Sequence, residues 1–350
     1  MAVPPAFCRL HREQRGQVFA IVVVLIAVFG GMTAVAIDLG SFSADRRDLQ
    51  NAADAIALAA SQDLPNSATA QAAATQWAIH NDIDPADMTV TVIPQSLPSE
   101  PNPKVRVALE RSHSFTFARL IGITSAAVGA SATAIKTSPG GSEGLVPWSV
   151  LEAAKDAATP GLSVVLKYDA QNPQNGNFGA IRIDGNGSNV YRETIEYGSD
   201  SGLCAVIAPD CSDPDQVQTE PGNMTGPTRQ GTDYRIGNTD PACDTWGEVV
   251  VVNANGLHGL RSECNPFVPG GNSNSLRVII VPVIPGLCSG ACYVTVTEFA
   301  LFYLEGYGDG GCTGNDCEIR GRFIDSNTNY GAVMGTFDPD TYAHFVRLVE

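Results

Sequence analysis

Residues 17–37, QVFAIVVVLIAVFGGMTAVAI, form 21 consecutive positions without a charge. No other feature restricts the fold as strongly. Wound as an α-helix, the run is about 30 Å long, the thickness of a bilayer's hydrocarbon core. Its twelve Val, Ile, Leu and Phe residues favour insertion over the one glutamine and two glycines. Small residues four apart, Ala27 with Gly31 and Gly30 with Ala34, permit close packing on another membrane helix. The competing reading is a cleaved signal peptide with Ala34-Val35-Ala36 as its site. The length of the run, and the helical pattern that continues past it, argue against cleavage.

Beyond the run, Leu39, Phe42, Arg46, Leu49, Ala53, Ile56 and Ala60 step by three and four, so they share one helical face on which Arg46 is the only polar member. Asp45, Asp48, Asn51 and Asp54 occupy the other face. Nothing after Gly40 breaks the pattern before Pro65, which predicts one rod about 70 Å long. Leu39, Phe42, Leu49, Ala53, Ile56 and Ala60 are the helix-packing candidates, to be buried by neighbouring helices or by the chain's own head.

Charge gives the chain a direction. Arg9, Arg12 and Arg15 face a lone Glu13 before the run, so residues 1–16 are expected as a cytoplasmic basic tail, 17–37 as the span, and everything after as extracytoplasmic. The net charge of −16 disfavours a nucleic-acid surface. Of nine cysteines, Cys8 precedes the run, while Cys204, Cys211, Cys243, Cys264, Cys288, Cys292, Cys312 and Cys317 all lie in the last half. An even set beyond an export signal reads as a disulfide framework. Short separations favour pairing 204 with 211, 288 with 292 and 312 with 317, leaving 243 for 264, although spacing alone does not fix connectivity.

The expected fold class is α+β. The amphipathic rod is followed by an Ala-rich helix over 66–81, strands over 88–93 and 104–110, a short helix in FTFARLIGI and a closing strand in SAAVGASATAI. Residues 38–137 thus read as a long helix plus a small α+β domain. SPGGSEG, residues 138–144, reads as a linker. Residues 145–350 read as a larger β-rich domain with disulfides. Its strand candidates include GLSVVLKYD, NFGAIRID, WGEVVVVNA, LRVIIVPVI, CYVTVTEFALFYLEGY and CEIRGRFID, and its one helix candidate is SNVYRETIEYG.

RGQ before the run, AIDLG at its end and RRDLQNAADAIALAAS after it resemble the N-terminal segment of the TadE/TadG-like family of the bacterial tight-adherence (Flp) pilus system. VPWSV, NFGAIRIDGNGS, YRETIEYG, TEPGNMTGPTRQG and VTEFALFYLEG are similar to the periplasmic regions of the TadG-like branch. Two features depart from family patterns. The residues after Gly16 lack the glutamate of a TadE-type prepilin site, and no Asp-x-Ser-x-Ser run marks a von Willebrand A domain. The resemblance implies a single-pass component of the bacterial cytoplasmic membrane. Its partners would be other pilus or pseudopilin-like subunits, the inner-membrane platform and the membrane itself.

No catalytic motif accompanies this architecture. His11, His80, His113, His258 and His344 show no recognisable spacing, and His-Glu-x-x-His and Walker sequences are absent. The expectation is a non-enzymatic chain without catalytic, cofactor-binding or metal residues. DGNGSN at 184–189 and the acidic glycine-rich loop around Asp309 and Asp316 offer oxygen ligands for Ca²⁺, but they also have the composition of tight turns. CSGAC and CTGNDC have the wrong spacing for zinc knuckles. TEPGNMTGPTRQG is expected as a structured loop, a candidate partner contact. Pilus assembly or secretion is therefore the leading reading, with a signal-anchored cell-surface binding or hydrolytic domain as the alternative.

Overall fold

The computed structural model describes residues 15–94, 102–206, 215–252, 258–268, 270–327, 333–341 and 343–349. Helix α1, Arg15–Ser61, is unbroken over 47 residues. The most apolar 18-residue window of the helix has mean hydropathy 2.7 and none of it is buried, so α1 is long and apolar enough to cross a membrane. Its distal half builds a head. Helix α2, Ser67–His80, starts at Asn66, whose side chain accepts hydrogen bonds from the Ala68 and Thr69 N–H groups at 3.0 and 3.3 Å, satisfying donors that have no partner within the helix.

Both helices pack on an antiparallel sheet of β1 (Met88–Ile93), β2 (Lys104–Ser114) and β3 (Ser125–Thr137). Alternate residues of β2, Val105, Val107 and Leu109, point inward onto Leu49, Ala53, Ile56 and Ala60 of α1. Ala70, Ala74 and Ala78, four apart on α2, are fully buried, and their small side chains let the two helices approach closely.

The rest of the chain runs β4 (Pro139–Ser142), β5 (Val150–Leu151), α3 (Glu152–Ala157), β6 (Ser163–Lys167), β7 (Ala180–Arg182), α4 (Ser188–Tyr197), β8 (Leu203–Cys204), β9 (Gln216–Glu220) and α5 (Thr225–Asn238). It continues with α6 (Trp246–Val249), β10 (Val250–Val252), β11 (His258–Leu260), β12 (Val278–Ile284), β13 (Tyr293–Thr295), β14 (Glu298–Thr313) and β15 (Asp316–Phe323). It ends with β16 (Ser326–Asn327), β17 (Val333–Met334) and β18 (Ala343–Leu348). The central sheet has the order β5-β12-β14-β15-β6. Its two middle strands are buried on both faces. Val278, Ile280, Phe299, Leu301 and Tyr303 enter one core, while Ile279, Val281, Ala300, Phe302 and Leu304 enter the other with Trp148, Tyr191 and Ile195. Burial on both sides explains why these segments read as continuous apolar runs.

Three expectations change. Residues 138–144 are not an open linker: β4 is buried and paired with both β8 and β17. Gly141 serves close approach, since a Cβ there would stand 3.2 Å from the Leu203 carbonyl oxygen and from Val333. TEPGNMTGPTRQG is the end of β9 followed by helix α5. WGEV, expected within a strand, is the helical turn α6, set by a capping box between Thr245 and Glu248. The C-terminal strand β18 also returns to pair antiparallel with β3, completing the sheet order β1-β2-β3-β18-β16. The head next to the span is therefore built from both ends of the chain.

Candidate functional site

The candidate site lies where α1 leaves its apolar half and meets the tip of the β2–β3 hairpin. The tip is a 3₁₀ turn, Ala118–Ile121, closed by Gly122 at φ 89°, a left-handed conformation that glycine adopts without steric cost. The first N–H groups of such a turn have no partner within it. Here Asp38 of α1 supplies one: its carboxylate accepts from the N–H groups of Thr116 (2.9 Å), Phe117 (3.0 and 3.2 Å) and Ala118 (2.6 Å). Asp38 is buried. Burial alone would raise its pKa, but the hydrogen bonds from Ala118, Thr116 and Phe117 prevail and hold it below the ordinary aspartate value.

Two turns further along α1, Asp45 pairs with Arg111 and with His113, the imidazole Nδ1 lying 3.0 Å from its carboxylate. The other imidazole nitrogen is 3.3 Å from the Ser41 hydroxyl. Phe42 packs edge-on against His113 at 5.6 Å and stacks with Phe115 at 6.0 Å. Below this collar an apolar groove of about 490 Å³ runs between Gly31, Ala34 and Val35 of α1 and Phe117, Leu120, Ile121 and Ile123 of the hairpin tip.

The six helix-packing candidates divide at this junction. Leu39 is exposed and Phe42 half-buried under the collar, whereas Leu49, Ala53, Ile56 and Ala60 are buried by the chain's own head. Sequence reasoning missed Asp38, Asp45, Arg111, His113 and the hairpin tip. The available signals were an aspartate directly ending the apolar run and, in FTFARLIGI, more apolar residues than a water-exposed turn needs.

Among the other predicted residues, Cys243–Cys264, Cys288–Cys292 and Cys312–Cys317 are disulfides. Cys204 is disulfide-bonded, and Cys8 and Cys211 lie outside the described residues. Asp184 is occupied by protein donors, accepting from the N–H groups of Asp200 and Ser201 and from the Thr194 hydroxyl. Among the described residues no three His, Cys, Asp or Glu side chains come together as a metal site. Asn223, in TEPGNMTGPTRQG, accepts from the buried Lys167 ammonium at 3.0 Å and donates to the Asn315 carbonyl. Burial pushes Lys167 down to about 8.

Ser41, His113 and Asp45 stand in the order of a hydrolytic triad. Such a triad also needs N–H donors free to hold an oxyanion. The adjacent N–H groups, those of the 3₁₀ turn, are taken by Asp38, and the Ser41 hydroxyl donates to the Asp38 carbonyl oxygen at 2.9 Å. The arrangement suits a structural clamp better than acyl transfer.

Residues 16–75, covering α1 and most of α2, match the model of the Tad family, described as putative Flp pilus-assembly TadE/G-like. No curated protein and no solved structure matches the chain.

Proposed function

We propose that this chain, whose N-terminal segment is of the TadE/G-like Flp pilus-assembly family, is a non-enzymatic, single-pass membrane component of a Tad/Flp-type pilus assembly or secretion apparatus, a minor pilin-like or accessory subunit. The observation that carries the reading is the division of α1. The family segment holds one helix whose first half is apolar and uncovered while its second half is sealed into a small head. The uncovered half suits a bilayer and other subunits' helices. The apolar stripe of the sealed half is already covered by the head and is not open to neighbouring helices. The basic N-terminus orients the chain with that end in the cytoplasm and the disulfide-bearing region outside.

Deleting the gene in its host, and restoring it on a plasmid, should abolish and then recover surface pili counted by electron microscopy. Unchanged piliation refutes the reading. A periplasmic reporter fused after Glu350 should be active, and a cytoplasmic one inactive.

The Ser41–His113–Asp45 geometry is the specific observation favouring the alternative, an anchored hydrolytic domain. Labelling of Ser41 by a fluorophosphonate would support it. Under the assembly reading Ser41 stays unlabelled.

A further inference from the structure

We infer that the tip of the β2–β3 hairpin is a second membrane contact, a wedge whose Phe117, Leu120, Ile121 and Ile123 enter the acyl region of the leaflet beside the span. The inference rests on the membrane reading of α1 and adds to it a site that the 17–37 run does not contain.

Exposure is the first argument. Leu120 is 85% and Ile121 77% exposed, with Ile123 and Phe117 also open, although the Val, Leu, Ile and Met side chains of strands β1 to β3 are all buried or half-buried. Isolated exposed apolar side chains are ordinary, but four clustered on one turn are not. Position is the second. The groove they line is shared with Gly31, Ala34 and Val35 of α1, so whatever covers those span residues also covers the tip. From Gly31 up to Asp38 the helix rises about 10 Å, and the tip therefore reaches below the end of the apolar run. Its surface continues the uncovered apolar surface of the span, where Val35 is 66% and Met32 65% exposed.

Backbone chemistry is the third argument. In hydrocarbon each N–H needs a partner within the protein. The tip provides them for six of its N–H groups: Thr116, Phe117 and Ala118 donate to Asp38, Leu120 to the Phe117 carbonyl, Gly122 to that of Arg119 and Ile123 to that of Ala118. The one charge in the turn, Arg119, has a stem long enough to bring its guanidinium up to the headgroups. The polar collar that Asp45 makes with Arg111 and His113 lies further along α1, on the water side. Apolar, interfacial and charged residues are thus layered along the axis in the order a bilayer surface presents them. A water-filled or protein-covered groove requires no such layering.

The test is tryptophan depth. The full chain carrying Leu120→Trp or Ile121→Trp is reconstituted in phosphatidylethanolamine/phosphatidylglycerol vesicles with acyl chains brominated near the carbonyl end. Both positions are exposed, so the substitutions leave the head packing alone. The added emission should be blue-shifted and lost to bromolipid to the same extent as that of Met32→Trp in the span, which lies level with the tip and is exposed, while Thr91→Trp on β1 keeps its emission. Quenching at 32 but not at 120 or 121 overturns the wedge and places the tip in water or against another subunit. Quenching at none of the three overturns the membrane reading itself, and the wedge with it.

Discussion

Asp38 and Phe117, 79 residues apart in sequence, are joined through both carboxylate oxygens of the aspartate and the single backbone N–H of the phenylalanine, at 3.2 and 3.0 Å. With the bonds to Thr116 and Ala118, this fixes the hairpin tip to the helix at the point where the apolar run ends.

Replacing Asp38 with Asn leaves one acceptor oxygen where the turn uses two. The amides of residues 116–118 should then exchange with solvent about tenfold faster, the equivalent of one net hydrogen bond to a charged group. Mass-spectrometric hydrogen exchange on the vesicle-bound chain reads this directly. Because the folded pKa of Asp38 is depressed, its contribution is complete above the ordinary aspartate value of 3.8 and is lost as pH falls below it through the folded value. Protection of these amides should fall over that acidic range in the wild type and stay flat in the variant.

The rod's apolar stripe should behave as two different surfaces. Ile56 is fully buried in the head, and Ile56→Ala should lower head stability by about 2–5 kcal/mol. Leu39, on the same stripe but 61% exposed, should change it by no more than about 0.5 kcal/mol when replaced by Ala. Thermal unfolding in detergent, followed by circular dichroism, separates the two. A large effect at Leu39 would mean that the head extends further down the helix than the structure places it.

That stripe shows what the sequence could and could not reveal. The step of three and four from Leu39 to Ala60 marks an apolar face, but periodicity is silent on what covers it, and the cover changes partway along. The strands around Val105, Ile280 and Phe302 were legible because period-two alternation and unbroken apolar runs are local signals. The misreadings came from glycine and proline. In SPGGSEG and TEPGNMTGPTRQG these residues allow close backbone approach and helix entry, and composition alone does not separate those uses from an open loop. The pairing of β18 with β3 and the meeting of Asp38 with the turn 79 residues later depend on tertiary placement, which no local pattern encodes.

At the seam where β18 joins the head, His344 lies buried, its Nε2–H donating to the Asp338 carbonyl oxygen at 2.9 Å beside Thr341 and the Phe337 ring. Burial, helped by the Lys136 charge and opposed by Asp338, pushes it down to about 4 from an ordinary 6.5. A folded value below the unfolded one means that stability is complete above pH 6.5 and is lost as pH falls toward 4, by up to about 3 kcal/mol. Urea unfolding followed across this window should show the loss in the wild type. His344→Gln, which keeps a donor but cannot titrate, should flatten the slope. An unchanged slope in the variant would assign the acid sensitivity elsewhere.

The disulfide between Cys243 and Cys264 closes a separation of 21 residues at the edge of the larger core, with both cysteines buried beside Val249 and Val250. On the chain-entropy model a loop of this length stabilises by about 3 kcal/mol, and the bridges Cys288–Cys292 and Cys312–Cys317, which close separations of 4 and 5, by less. Changing Cys243 and Cys264 together to Ala should therefore lower the unfolding midpoint of the disulfide-bearing region more than removing either short bridge. The double variant also tests compartment. If the region folds outside the cytoplasm, non-reducing peptide mapping of wild type recovered from cells should give these three bridges intact, and dithiothreitol should shift the wild-type midpoint toward that of the variant. Free thiols at Cys243 and Cys264 in protein from cells would contradict both the bridge and the outward orientation that permits it.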